Sequence, residues 1–271
     1  MAFTKAHSRA IKLARFDQAL NEQAGGLFAG IDEAGRGPLA GPVVASAVVF
    51  PPGTKIKGVD DSKALTHEQR EAVRVKIEKE ALSIGVGIVD PEIIDSINIL
   101  QATLLAAKIA VSQLTVSVNL LMTDFLKVNC GIAVRAEIEA DSKSLAVAAA
   151  SIIAKTTRDR MMVAYNEEYP GYGFDGHKGY CCPEHFRALE KLGPCTLHRL
   201  SFNGVSLFTV DARPSLSFAR MTELHAAGHD DFLREGALLL QRQPHPLVDV
   251  ERRQLQQWLQ SHDHSMVEAS A

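Results

Sequence analysis

With 271 residues, 46% of them hydrophobic and 23% charged, the chain is sized for one substantial folded domain and is too rich in core residues to be a disordered segment. Its net charge of -3 does not advertise a polyanion binder, yet the stretch from Thr209 onward is net acidic and leaves the rest balanced, which permits nucleic-acid binding if acids gather around cations. No uninterrupted apolar run reaches the roughly 18 residues of a membrane span, and Met1–Asn21 lacks an apolar stretch ending in a cleavage site, so a cytoplasmic location is expected. Cys130, Cys181, Cys182 and Cys195 show no C-x-x-C spacing, which points to reduced thiols rather than a zinc site or a disulfide framework.

A polar, helix-compatible stretch from Ser8 to Gln23 stops at Gly25-Gly26. Leu27–Ile31 then reads as a short buried strand running into Asp32-Glu33, and Val43–Phe50 as a second strand, joined by a loop (Ala34–Pro42) short enough for an antiparallel pair. A charged helix follows Asp61-Ser62, with Thr66 and Gln69 spaced as a capping box. Leu82–Val89 is a third strand, Pro91 opens a helical region whose Ile97–Leu114 part is apolar enough to lie on a sheet, and Val116–Met122 is a fourth strand ending at Asp124. Ile132–Ile138 alternates as a fifth strand before Asp141, and Leu145–Tyr165 is a strong helix. The pattern predicts an α/β fold with a mixed sheet of about five strands flanked by helices. Beyond Phe208 lysine disappears and proline recurs; helices are expected at Phe218–Ala226 and Val248–Gln260, and disorder at Ser261–Ala271.

Asp32, Glu33, Asp124 and Asp141 all stand at or just beyond predicted strand ends. Carboxylates brought from separate strands to one sheet edge are how a hard divalent cation is held, and without one they would repel and raise one another's pKa. Two such ions about 3.5–4 Å apart can activate a water and stabilise the leaving oxygen of a phosphodiester. A geometric objection attaches to Asp32-Glu33: adjacent side chains on a regular strand point to opposite faces, so a shared site needs the strand to break there, as Gly35 would allow.

The loop Gly35-Arg36-Gly37-Pro38-Leu39-Ala40-Gly41 fits the dinucleotide pattern G-x-G-x-x-A, but that fingerprint must open a helix. Here Pro38 and Pro42 lead into a β-branched strand, which excludes the nucleotide-cofactor reading. Gly30 through Val43 instead resembles the opening motif of the ribonuclease HII family. The resemblance continues in order through Asp60-Asp61-Ser62-Lys63, Asp141-Ser142, Ala148 through Arg160, Tyr172-Gly173-Phe174-Asp175, His177-Lys178-Gly179-Tyr180 and His198-Arg199 with Ser201-Phe202. It spans roughly Ser8 to Phe208.

This resemblance implies a ribonuclease H-like fold with a C-terminal helical part over 1–208, and an appended segment at 209–271. It implies Asp32, Glu33, Asp124 and Asp141 as the catalytic acids holding two Mn2+ or Mg2+ ions. It implies that Gly35, Arg36 and Gly37 read the 2′-hydroxyl at an RNA–DNA junction with Tyr180 beside it; Lys63, just before a helix, and Ser142 are candidate substrate contacts by their positions. The implied partner is an RNA–DNA hybrid or a DNA duplex carrying a ribonucleotide, cut on the 5′ side of the ribonucleotide by a monomer. Each role suits its residue: glycine admits a sugar closely, arginine's fork matches phosphate, and an aromatic face packs on a sugar or base without reading sequence.

The chain departs from the family in two places. Phe125 follows Asp124 where the family has Gly, and Cys181-Cys182 follow Tyr180 where it has a small residue and Thr. Lys63, Lys143, Lys155, Arg158, His177, Lys178 and Arg199 are further candidates for backbone contacts, whereas Arg160 reads as part of a charged helix face. Ser142 and Ser151 could bond phosphate, and helix capping explains Ser142 equally well. Val205–Phe208 has the make-up either of a short sliding-clamp peptide or of an apolar segment closing the core. A rival reading is a hybrid-binding protein that does not cleave.

Overall fold

A computed structural model of the chain describes residues 2–59, 65–124, 126–206 and 208, together with 221–222, 226, 254–257 and 259. In chain order the elements are α1 (Ala2–Ala24), β1 (Phe28–Ala34), β2 (Val43–Val49), α2 (His67–Glu80), β3 (Ser83–Val89), α3 (Pro91–Ser112), β4 (Leu120–Asp124), β5 (Ala133–Glu137), a 3₁₀ turn (Ala140–Ser142), α4 (Leu145–Glu168), α5 (Phe174–His177), α6 (Pro183–Leu192) and α7 (Asn203–Ser206). The strands form one mixed sheet in the order β3-β2-β1-β4-β5, antiparallel across β3-β2-β1 and parallel across β1-β4-β5. The ribonuclease H-like architecture expected from sequence is therefore present.

β1 and β2 are buried along their apolar lengths because helices cover both faces of the sheet. Register fixes which residue faces which helix. Gly30 pairs with Val48 and Met122, and a methyl placed on Gly30 would stand 2.3 Å from the Ala146 carbonyl carbon of α4. Ile31 pairs with Ala47, which pairs with Gly85, and a methyl on Gly85 would stand 1.9 Å from the Ala110 carbonyl oxygen of α3. α4 thus covers the Gly30 face and α3 the other. α3 is long and apolar enough to cross a membrane by length and composition, which reading for uninterrupted apolar runs did not anticipate. It instead lays Ala102, Ala106 and Ala110 on the sheet.

Local signals placed the helix starts. Thr66 accepts from the Gln69 backbone N–H at 3.3 Å while the Gln69 side chain accepts from the Thr66 N–H at 2.8 Å, the capping box read from sequence. The α4 cap is Ser144, whose hydroxyl accepts from Val147 N–H. Ser142, a cap or a phosphate contact by sequence, sits in the 3₁₀ turn and donates to the Glu139 carbonyl at 2.8 Å. α3 is kinked at Asn98, which has φ 67° and whose side chain accepts from the Leu100 and Gln101 N–H groups, starting the helix afresh.

The chain divides into two compact units, residues 1–180 and 181–271. The second holds α6 and α7 around a buried pair, His185 and His198, whose Nε2 atoms lie 3.0 Å apart, and a buried Arg199 whose guanidinium lies over the Phe202 ring at 5.0 Å. Phe186 and Phe208 pack with ring centroids 6.2 Å apart.

Candidate metal and nucleic-acid site

Asp32, Glu33 and Asp124 stand where β1 and β4 run out in parallel. β1 does not break at Asp32-Glu33: it continues regularly to Ala34, with Asp32 opposite Ser46 and Glu33 opposite Ala45. The two side chains leave the strand in different directions, Asp32 toward α4. Yet Asp32 feels the charge of Glu33 and both feel that of Asp124, so at the strand end the three stand close without a break in the strand. Parallel register places Asp124, the last residue of β4, on the same face as Asp32. Asp141 lies in the 3₁₀ turn, which packs against β4 and α4.

The electrostatics are those of a site short of positive charge. Burial pushes Asp32 well above the ordinary carboxylate range, the charges of Glu33 and Asp124 push the same way, and a hydrogen bond from Ser151 of α4 pulls only partly back. Burial also raises Glu33; Arg36, which donates to Glu33 Oε1 at 3.2 Å, opposes the rise, and Asp124 adds to it. The other Glu33 oxygen, Oε2, is buried with no hydrogen-bond partner. Among the described residues no three acidic, histidine or cysteine side chains form a ready-made cation cage. The donor set nevertheless fits a hard divalent cation: carboxylate oxygens only, mutually repelling, one of them buried and unpartnered.

Beside the acids lies a platform made from two distant parts of the chain. Gly35 turns the chain with φ +94°, and a methyl there would stand 2.2 Å from Arg158 Nε. A methyl on Gly37 would meet nothing within 4 Å, so that side of the loop lies open. The Leu39 N–H donates to the Gly179 carbonyl at 2.8 Å, tying this loop to the residue before Tyr180. The Tyr180 ring is 43% exposed and carries Lys155 Nζ at 5.5 Å and the Arg158 guanidinium at 5.7 Å from its centroid. His177 braces the same turn: its Nδ1 accepts from Gly179 N–H at 3.1 Å, which leaves Nε2–H to donate to the Tyr172 carbonyl at 2.8 Å.

Several basic residues proposed from sequence as backbone contacts are otherwise engaged. Arg158 is completely buried among carbonyls, and Arg199 is likewise buried in the second unit, so neither presents its charge to a phosphate. Lys155 pairs with Asp159 at 2.7 Å and Lys143 with Glu137 at 3.1 Å. Arg160 pairs with Glu71 across α2, in keeping with a charged helix face. Ser151, a phosphate candidate by sequence, bonds Asp32 instead. Val205 is fully buried, as a closing apolar segment requires. Asp60–Ala64 with Lys63, Phe125, Leu207 and most of 209–271 lie outside the described residues; within the two helices expected there, the described residues 221–222, 226, 254–257 and 259 are helical.

A sheet edge of this kind, acids on parallel strand ends beneath an open glycine turn, belongs to the metal-dependent nucleases of ribonuclease H-like fold. The family model described as Ribonuclease HII matches residues 29–205. Ribonuclease HII of Citrifermentans bemidjiense is 56% identical over 179 residues, which are 66% of this chain and 78% of that protein. Among solved structures, ribonuclease H2 of Pyrococcus horikoshii OT3 is similar with a TM-score of 0.60 at 28% identity, over 67% of this chain and 96% of that one. The RNase HII of a PCNA:RNase HII complex from Archaeoglobus fulgidus is similar with a TM-score of 0.56 at 28% identity, over 65% of this chain and 95% of that one. The chain belongs to the ribonuclease HII family and is a metal-dependent endoribonuclease acting on ribonucleotides in RNA–DNA hybrids.

Proposed function

We propose that the protein hydrolyses the phosphodiester on the 5′ side of a ribonucleotide, at single ribonucleotides in duplex DNA as well as in longer hybrids, leaving 3′-hydroxyl and 5′-phosphate ends. The observation that carries this reading is the adjacency of two things: the buried, unpartnered Glu33 oxygen among Asp32 and Asp124, and the open glycine turn tied to Tyr180. Asp32, Glu33, Asp124 and Asp141 would hold two divalent ions, Mn2+ or Mg2+. Bound there, the ions supply Lewis acidity for activating a water and stabilising the leaving oxygen. The chain's own residues do the rest: Ser151 orients Asp32, and Arg36 holds Glu33 through a charge-assisted hydrogen bond. Gly35 and Gly37 let the backbone approach a ribose whose 2′-hydroxyl both donates and accepts, and the Tyr180 ring packs beside it.

The lead experiment is cleavage of a labelled DNA duplex with one ribonucleotide, in Mg2+, in Mn2+ and in EDTA. A metal-dependent cut 5′ to the ribonucleotide supports the proposal. Cleavage confined to a long hybrid would remove the single-ribonucleotide specificity, and binding without a cut in either metal would leave only a hybrid-binding role. A weak sliding-clamp contact is a further part of the proposal, supported by the similar Archaeoglobus protein having been solved with PCNA. Co-elution of this chain with a bacterial clamp on a sizing column tests it, and the same column tests the expectation of a monomer.

A further inference from the structure

Arg158 shares with Arg199 the place of largest fully buried side chain among the described residues, and its hydrogen bonds go to backbone carbonyls. Its Nε donates to the Pro42 carbonyl at 2.9 Å, Nη2 to Ala40 at 2.9 Å, and Nη1 to Lys178 at 3.0 Å. Two of these carbonyls close the glycine loop; the third lies two residues before Tyr180. The guanidinium carbon, Cζ, stands 5.7 Å from the centre of the Tyr180 ring. Room for it comes from glycine: a methyl at Gly35 would stand 2.2 Å from Nε and one at Gly41 would stand 3.2 Å from Nη2. The two segments are also joined directly, the Leu39 N–H donating to the Gly179 carbonyl at 2.8 Å.

A fully buried cation is costly, and it persists where several acceptors satisfy it at once. Lysine could not replace it, because only a planar fork fixes the directions of three acceptors together. Lys155 and Arg158 rise from the same helix as Ser151, so one rigid element sets the Asp32 carboxylate, the loop and the ring relative to one another.

We propose that Arg158 is a positioning residue which fixes the spacing between the Gly35–Gly37 loop and Tyr180, and thereby sets the enzyme's selectivity for a lone 2′-hydroxyl. This rests on the reading above that these two segments hold the ribonucleotide. A loosened platform loses most where a single ribose must be found in one register. It loses least on a uniform hybrid, where every phosphate has a 2′-hydroxyl beside it and a slipped register is still productive.

The test compares kcat/KM on a single-ribonucleotide duplex and on a uniform RNA–DNA hybrid, for the wild type, Arg158→Lys and Arg158→Ala, with folding monitored by thermal melting. The expected result for Arg158→Lys is a loss of about tenfold or more on the single-ribonucleotide duplex, the size of effect that a displaced binding group produces, with at most about a threefold loss on the hybrid. Ethylguanidinium added to Arg158→Ala is expected to restore part of that ratio, which general destabilisation would not allow. Equal losses on both substrates, or an unchanged ratio in a folded Arg158→Lys protein, would overturn the inference. Should Arg158→Ala not fold, Arg158→Gln, which keeps a planar end with two donors but cannot reach all three carbonyls, must shift the ratio the same way or the inference fails. A wild type that cuts the hybrid but shows no single-ribonucleotide activity would defeat the functional reading first, and a normal wild type with indifferent variants defeats only this one.

Discussion

α3 and α4 approach opposite faces of one sheet by the same device, an alanine-lined helix laid against strand glycines: Ala106 and Ala110 over Gly87 and Gly85 on one side, Ala146 over Gly30 on the other. What they do with that closeness differs. The sheet-facing side of α3 is filled by Ala102, Thr103, Ala106, Ala107 and Ala110, and ends in packing. α4 starts as a packing helix and then turns polar along the same face, delivering Ser151 to Asp32, Lys155 to Tyr180 and Arg158 to the loop carbonyls. Close approach alone therefore makes a core; close approach followed by buried polar side chains makes a site.

The most severe break in this comparison is Asp32→Ala, expected to reduce cleavage by roughly three orders of magnitude or more while leaving duplex binding in a filter or anisotropy assay nearly intact. Retained activity would move the site elsewhere. Next come the two glycine contacts. Gly87→Ala forces a methyl to within 1.9 Å of the Ala106 carbonyl oxygen and should destabilise by about 1–3 kcal/mol, with turnover of the folded protein unchanged. Gly30→Ala should cost a similar amount and lower kcat too, because the strand and helix it separates carry Asp32 and Ser151. If both variants lose stability alone, α4 has no privileged role.

A smaller effect is expected from Ser151→Ala, which removes the hydroxyl bonded to Asp32; activity should fall about tenfold at limiting metal, with less loss when metal is saturating. Smallest is Asp17→Asn. Asp17 of α1 accepts from the Ala146 N–H at 2.9 Å, and burial pushes its carboxyl up to about 7. An acid with a raised folded-state pKa is favoured in its protonated form, so stability falls as pH rises from about 4 to about 7 and is level above. Asp17→Asn should melt a few degrees higher than the wild type at pH 8 and match it near pH 4; a constant offset across pH would refute the assignment.

Local chemistry was easy to read in the sequence and long-range burial was not. The capping box at Thr66, the strand ends carrying acids and the five-stranded mixed sheet follow from spacing within a few residues. The end of β1 was misplaced because Asp32 and Glu33 look like a turn, whereas pairing with β2 carries the strand through both of them to Ala34. β4 starts at Leu120, later than the apolar run from Val116, because register with Phe28 sets its first rung. Arg158 looked like a phosphate contact: an Arg-Asp-Arg stretch on a helix advertises charge, and nothing local says that one of the two arginines is enclosed by loops from elsewhere. Ser142 reads from sequence as a cap or a phosphate contact alike, but it lies in a 3₁₀ turn that has no sequence mark of its own, and the cap falls two residues later at Ser144.

The parallel pairing of β1 with β4 has a kinetic consequence. A parallel neighbour cannot be reached by a hairpin, so the chain must complete β2, α2, β3 and α3 before Asp124 arrives beside Asp32. The β1-β2 pair closes through the short loop between Ala34 and Val43 and is suited to early formation, while the acid cluster depends on contacts between residues far apart in the chain. During refolding, helical and strand signals should recover before nuclease activity does. An incompletely folded chain is thus a ribonuclease in composition only, harmless to RNA until the last long loop has closed.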